Sequence, residues 1–138
     1  MRKFLIVSHG EFAGGIKSAL ELIMGAAPDV IVLQAYVDEN RPVEDEIAGL
    51  LSETGEGEEW IVFTDLLGGS ITNQVLRVTA ELGMTGSVHI VAGMNLPLVI
   101  EVVMSDPETP AKEVLAEAIA LAREQLVYVN ELINNNNG

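Results

Sequence analysis

KFLIVSHG, Lys3–Gly10, is the stretch that decides the fold. Lys3–Ser8 is almost continuously apolar, without the polar alternation of a strand that has one wet face. A short run of this kind reads as a strand covered on both sides. A polar turn follows, and then Ala13–Met24 places Ile16, Leu20 and Ile23 at helical spacing, with Gly25 as a stop. Strand, turn and helix make the opening half of a βαβ unit. The alternation continues with apolar runs at Val30–Ala35 (VIVLQA), Trp60–Thr64 (WIVFT) and Ser87–Ala92 (SVHIVA). Helical patterns lie between and after them. Pro42–Ser52 carries Ile47, Leu50 and Leu51 on one face. Ser70–Leu82 repeats Val75, Leu76, Val78 and Leu82 before Gly83. Asn95 can cap a short helix from Pro97 to Met104, and Pro110–Val129 reads as a long amphipathic helix turning extended near Tyr128.

The order β-α-β-α-β-α-β-α-α predicts an α/β, doubly wound, mainly parallel sheet with helices on both faces and right-handed crossovers. A length of 138 residues suits one domain with a single core region, and 49% apolar residues with few aromatics fit helices packed on a sheet. No apolar stretch approaches the roughly 20 residues of a membrane span. The first residues lack the composition of a secretory signal, and a cytoplasmic location is expected. The absence of cysteine excludes disulfides and thiolate chemistry. Seven basic residues against a net charge of −14 exclude a nucleic-acid interface and favour encounter with basic protein surfaces.

Ligands of open α/β sheets sit beyond the carboxyl ends of the strands, where the strand order reverses. A flavodoxin-like order 2-1-3-4 puts that reversal between the first and third strands. The first ends at His9 and the third in Thr64-Asp65-Leu66-Leu67-Gly68-Gly69-Ser70. Adjacent strands lie about 4.8 Å apart, so this order makes His9 and Asp65 neighbours. A carboxylate that accepts from one imidazole nitrogen fixes the tautomer, and the Nε2 lone pair then faces outward as a nucleophile. Gly68 and Gly69 let backbone approach an anion, and a helix N-terminus offers free N–H groups. Ser70 either caps this helix or donates its hydroxyl to a bound oxyanion. Together these point to phosphate. No Gly-Lys-Ser/Thr follows as in a Walker loop, and the dinucleotide fingerprint is missing. The plainer readings stand beside these: His9 as a turn residue, and Asp65 as a cap. His89 reads as a strand residue, Met84, Met94 and Met104 as packing residues, and Trp60 as a core or edge anchor. Two dispersed histidines form no zinc site, and neither metal nor cofactor is expected.

Three segments resemble the IIA component of the mannose family of the bacterial sugar phosphotransferase system: Leu5–Gly10 (LIVSHG) with the helix ending Leu22-Ile23-Met24-Gly25, Thr64–Ser70 (TDLLGGS), and Ala92–Leu98 (AGMNLPL). The resemblance implies a phosphotransferase domain over residues 1–133; the low-complexity composition of residues 134–138 (NNNNG) makes them a disordered Asn-rich tail. The resemblance implies that His9 takes phosphate on Nε2 from the phosphocarrier HPr, that Asp65 holds the ring, and that Gly68, Gly69 and Ser70 bind the phosphoryl group. Phosphate then passes to a IIB component, and onward to sugar entering through membrane components IIC and IID. It further implies a homodimer and an antiparallel edge strand, for which Leu126–Leu132 (LVYVNEL) is the candidate. Phe12, Leu66 and Leu67 serve either as a docking rim for the protein partners or as core. Many relatives carry Pro-Phe after Gly-Gly-Ser, where this chain has Ile71-Thr72. The phosphotransferase subunit of dihydroxyacetone kinase shares the histidine, but Gly10 and Asn95-Leu96-Pro97 favour the mannose group. Two rival readings are a regulatory phosphorylation module and a flavodoxin-like domain that binds a small ligand without a covalent step.

Overall fold

The computed structural model describes residues 1–27, 29–37 and 42–137. Four strands, β1 (Arg2–His9), β2 (Val30–Ala35), β3 (Glu59–Thr64) and β4 (Val88–Val91), form one sheet in the order β2-β1-β3-β4. All three pairings are parallel. The helices are α1 (Phe12–Met24), α2 (Val43–Ser52), α3 (Ser70–Glu81), α4 (Leu96–Val103), α5 (Ala111–Glu124) and α6 (Val129–Asn137). The sheet order and the helices on both faces are those expected from the sequence.

Strand period two explains the layers. Phe4 and Ile6 of β1, with Ile61 and Phe63 of β3, face Leu20 of α1, Val99 and Val102 of α4 and Ala118 of α5. Leu5 and Val7, with Trp60 and Val62, face Ile47 and Leu51 of α2 and Val75 of α3. Both central strands are therefore buried on both faces, which is why their sequences show no polar alternation. Trp60 is a core residue, 1% exposed, and its indole N–H donates to Thr54 Oγ1 at 2.7 Å. Met94 is buried, Met84 packs at the margin of the core, and Met104 lies exposed, against its expected packing role.

The C-terminal segment departs from expectation. α5 ends at Glu124, five residues short of the expected Val129. Among the described residues no fifth strand forms, and Leu126–Leu132 is not an edge strand: Leu126–Tyr128 is irregular and Val129–Leu132 begins α6. The spacing of Val129, Leu132 and Ile133 explains the correction. It follows the helical three-and-four rhythm, whereas a strand needs alternation by two. The same helix takes in Asn134–Asn137, a stretch read from sequence as a tail without structure; Gly138 lies outside the described residues.

Candidate functional site

The ends of β1, β2 and β3 converge at one edge of the sheet. Pairing of Val7 with Thr64 puts His9 beside the segment that leaves β3, and pairing of His9 with Ala35 puts it beside the end of β2. The chain after His9 turns at Gly10, whose φ of +56° lies in the left-handed region that glycine enters without steric cost. The Gly10 N–H donates to Ala35 C=O at 2.9 Å. Ser8, wholly buried, accepts from Ala13 N–H at 2.7 Å and so caps α1 from outside the helix. These contacts fix the backbone on both sides of His9.

Asp65 Oδ2 accepts from the His9 backbone N–H at 2.7 Å and from His9 Nδ1 at 2.8 Å. Its other oxygen accepts from Leu66 N–H at 3.0 Å. With Nδ1 committed as the donor, Nε2 carries the lone pair. The His9 side chain is 43% exposed while that of Asp65 is 9% exposed, so the nucleophilic nitrogen is accessible and its anchor is sheltered. Burial pulls the Asp65 carboxyl upward. The hydrogen bonds from the His9 backbone N–H and from its ring outweigh that and hold it below its ordinary 3.8.

The loop after Asp65 is held by a buried hydroxyl chain. Thr64 Oγ1 donates to Thr72 Oγ1 at 2.7 Å, and Thr72 Oγ1 donates to Leu66 C=O at 2.6 Å. Met94 N–H donates to Thr64 C=O at 3.0 Å, tying the end of β4 to the same turn. Gly68 has φ +77°. Gly69 occupies the N-cap position of α3, and a Cβ placed on it would stand 4.0 Å from His9 Cε1. The first turn of α3, with N–H groups that have no partner inside the helix, therefore starts beside the imidazole. Ser70 is the first helical residue and not the cap. Its hydroxyl lies 2.8 Å from Tyr36 Oη.

The structure thus brings His9, Asp65, Gly69 and Ser70 together. Phe12, Leu66 and Leu67 are 48%, 58% and 85% exposed, which removes the core reading for all three. His89 lies near the amino end of β4 with Nε2 3.5 Å from Glu59 Oε2, away from the carboxyl ends of the strands. No group of three metal-ligating side chains occurs among the described residues.

Tyr36 is the site residue that the sequence reading missed. Its ring centroid lies 5.4 Å from that of His9, with the planes 36° apart. Among the described residues it is the one non-glycine with positive φ, +65°. Such backbone costs about 1–3 kcal/mol in a residue of this type and clusters at functional sites. The signal that could have found it was register: in a 2-1-3-4 sheet, the residue after β2 borders the end of β1 as closely as Asp65 does.

Fold and site together define a doubly wound α/β domain with a carboxylate-anchored histidine at the reversal of strand order. The family model described as "PTS system fructose IIA component", the mannose-type EIIA, matches residues 3–119, and the chain belongs to that family. It is 24% identical over 136 residues to the sorbose-specific EIIA component of Lacticaseibacillus casei, covering 97% of this chain and 95% of the relative. A crystal structure from Klebsiella pneumoniae, a candidate phosphoenolpyruvate-dependent sugar phosphotransferase system permease, superimposes with a TM-score of 0.87 at 33% identity, covering 96% of this chain and 93% of that one. The EIIA component from Streptococcus agalactiae gives 0.76 at 28% identity, covering 95% and 99%. The chain is accordingly a member of the EIIA component family of the mannose and fructose type. No helix among the described residues is long and apolar enough to cross a membrane.

Proposed function

We propose that this protein is a phosphohistidine carrier of a sugar phosphotransferase system, working in the cytoplasm. His9 Nε2 attacks the phosphorus of phosphohistidine on HPr. The new P–N bond forms as the bond to the donor imidazole breaks, and the donor ring leaves with that electron pair. Asp65 stabilises the positive charge that grows on the His9 ring through the Nδ1–H bond. The Ser70 N–H in the first turn of α3 and the Ser70 hydroxyl hold the equatorial oxygens, while Gly68 and Gly69, whose N–H donates to Leu66 C=O at 3.3 Å, shape the turn. Phosphate then passes to a IIB component and, through IIC and IID, to sugar. The step needs neither metal nor cofactor, because the transferring group is already activated as a phosphoramidate.

The observation that carries this reading is the double acceptance by one Asp65 oxygen from both the backbone and the ring of His9. A cap or turn residue has no need to fix a tautomer. The exposed rim of Phe12, Leu66 and Leu67 supports docking of HPr and IIB in turn on the same nitrogen. The exposed apolar side chains of Leu126, Val129, Leu132 and Ile133 support a homodimer.

Incubation with phosphoenolpyruvate, enzyme I and HPr tests the reading by mass spectrometry. One added phosphate is expected, labile in acid, absent from His9→Ala and transferable to a IIB protein. No added phosphate, or one that persists in His9→Ala, overturns it.

A further inference from the structure

The proposed transfer uses the Ser70 hydroxyl but leaves unexplained what aims its proton. A serine hydroxyl rotates freely and can present either a lone pair or a hydrogen to an anion. Only the second is useful beside a phosphoryl oxygen.

Tyr36 Oη lies 2.8 Å from Ser70 Oγ, and Gln74 Nε2 lies 3.4 Å from Tyr36 Oη. Ser70 and Gln74 stand one turn apart on α3, so both face Tyr36 from the same side of the helix. An amide nitrogen only donates. Gln74 therefore fills the acceptor side of the phenol and leaves the phenolic proton for Ser70 Oγ. With an incoming bond on its oxygen, Ser70 has its own proton free for a third acceptor. A phenol is a stronger acid than an alcohol, and donation from it makes the serine a better donor in turn. The left-handed backbone at Tyr36 and the ring set against His9 keep the phenol in this place.

We propose that Tyr36 and Gln74 are positioning residues that direct a hydrogen-bond chain, Gln74 to Tyr36 to Ser70, toward the phosphoryl group on His9. The inference rests on His9 being the phosphoryl acceptor and deepens that reading. It predicts that Tyr36 acts through Ser70, and that reversing the first link is as harmful as deleting the second. Gln74→Glu performs the reversal. A carboxylate only accepts, so it draws the phenolic proton away from Ser70.

Phosphoramidate, a small donor that phosphorylates histidine without any protein partner, and phospho-HPr are used in parallel. With phosphoramidate, Tyr36→Phe is expected to slow His9 phosphorylation about tenfold and Ser70→Ala about a hundredfold. The double variant should match Ser70→Ala within about twofold, because the two groups form one unit. Gln74→Glu should match Tyr36→Phe. Tyr36→Phe and Gln74→Glu should each move the ³¹P resonance of phosphohistidine toward that of Ser70→Ala. With phospho-HPr, Tyr36→Phe should lower kcat and leave KM unchanged, since the aromatic ring remains for docking. Wild-type rates in Tyr36→Phe, additive losses in the double variant, or a change confined to KM would each overturn the proposal. Phosphorylation by phosphoramidate but not by phospho-HPr would remove the carrier function while leaving the hydrogen-bond chain to be judged on the first donor. An unmodified His9 with both donors removes the two readings together.

Discussion

Asp65 does two jobs with one oxygen, and they separate on substitution. Asp65→Asn keeps the shape and can still accept from the backbone N–H of His9. It loses the charge that steadies the imidazolium as phosphate arrives. Phosphorylation of His9 is expected to slow about 10–100-fold, with the circular dichroism spectrum unchanged; an unaltered rate would take Asp65 out of the chemistry. The same carboxyl sets a pH signature. Its folded pKa lies below the ordinary 3.8, so its contribution to stability is complete above that value and is lost as pH falls through the lower, folded value. Asp65→Asn should flatten that part of the acid limb when urea midpoints are followed downward from pH 5, and a limb of unchanged slope would contradict the assignment. At this scale His9 and Asp65 were legible in the sequence because each ends an unmistakable apolar run, and topology alone made them neighbours. Tyr36 was not, because an exposed tyrosine after a strand looks like any turn residue until its φ and its hydroxyl partner are seen.

The elements were legible where burial is two-sided. β1 and β3 have no solvent face, so composition alone marked them, and their observed ends differ from the expected ones by a single residue. The cap at Asn95 was also readable: its Oδ1 accepts from Leu98 N–H at 2.9 Å. Asn95→Ala should therefore cost about 1 kcal/mol in urea unfolding. The turn between β3 and α3 depends on something sequence conceals, the buried pair Thr64 and Thr72. Neither residue is remarkable in a strand or a helix, and only their 2.7 Å approach gives them a role. Thr72→Val keeps the volume, leaves the Leu66 carbonyl with only the Gly69 N–H at 3.3 Å and strands the Thr64 hydroxyl. A loss of about 1–3 kcal/mol is expected, together with slower His9 phosphorylation, because Asp65 begins the turn that Leu66 continues. Loss of stability with an unchanged rate would show that Asp65 is held by β3 alone. The C-terminal segment was not legible for the opposite reason: Leu126–Leu132 has neither two-sided burial nor a strand's alternation, and its exposed apolar residues fit a helix as well as an edge.

Two forces of opposite salt dependence act on the molecule as a whole. The chain carries a net charge of −14, so two copies repel, and screening relieves that repulsion as the Debye length falls from about 10 Å at 0.1 M to about 3 Å at 1 M. Docking on a basic partner surface is weakened by the same screening. The buried clusters take their last residue, Ala122, from α5, so the core is complete before Leu126. The apolar side chains of Leu126, Val129, Leu132 and Ile133, each at least half exposed, contribute nothing to it. Covering such side chains is worth up to about 1.5–3 kcal/mol each, enough for several of them to hold a dimer against charge repulsion. Light scattering on the whole chain should then report a dimer that tightens as salt rises, and its thermal midpoint should climb with protein concentration. Ending the chain after Gln125 should give a monomer whose midpoint ignores concentration, while His9 still takes phosphate from phosphoramidate, since its anchor and cradle come from β1, β3 and α3. A truncated chain that remains dimeric would move the interface to another exposed apolar pair, of which Leu22 and Ile23 on α1 are the first to substitute. Transfer from phospho-HPr should meanwhile slow with salt in both forms, and a rate that rises with salt would deny the donor a basic face.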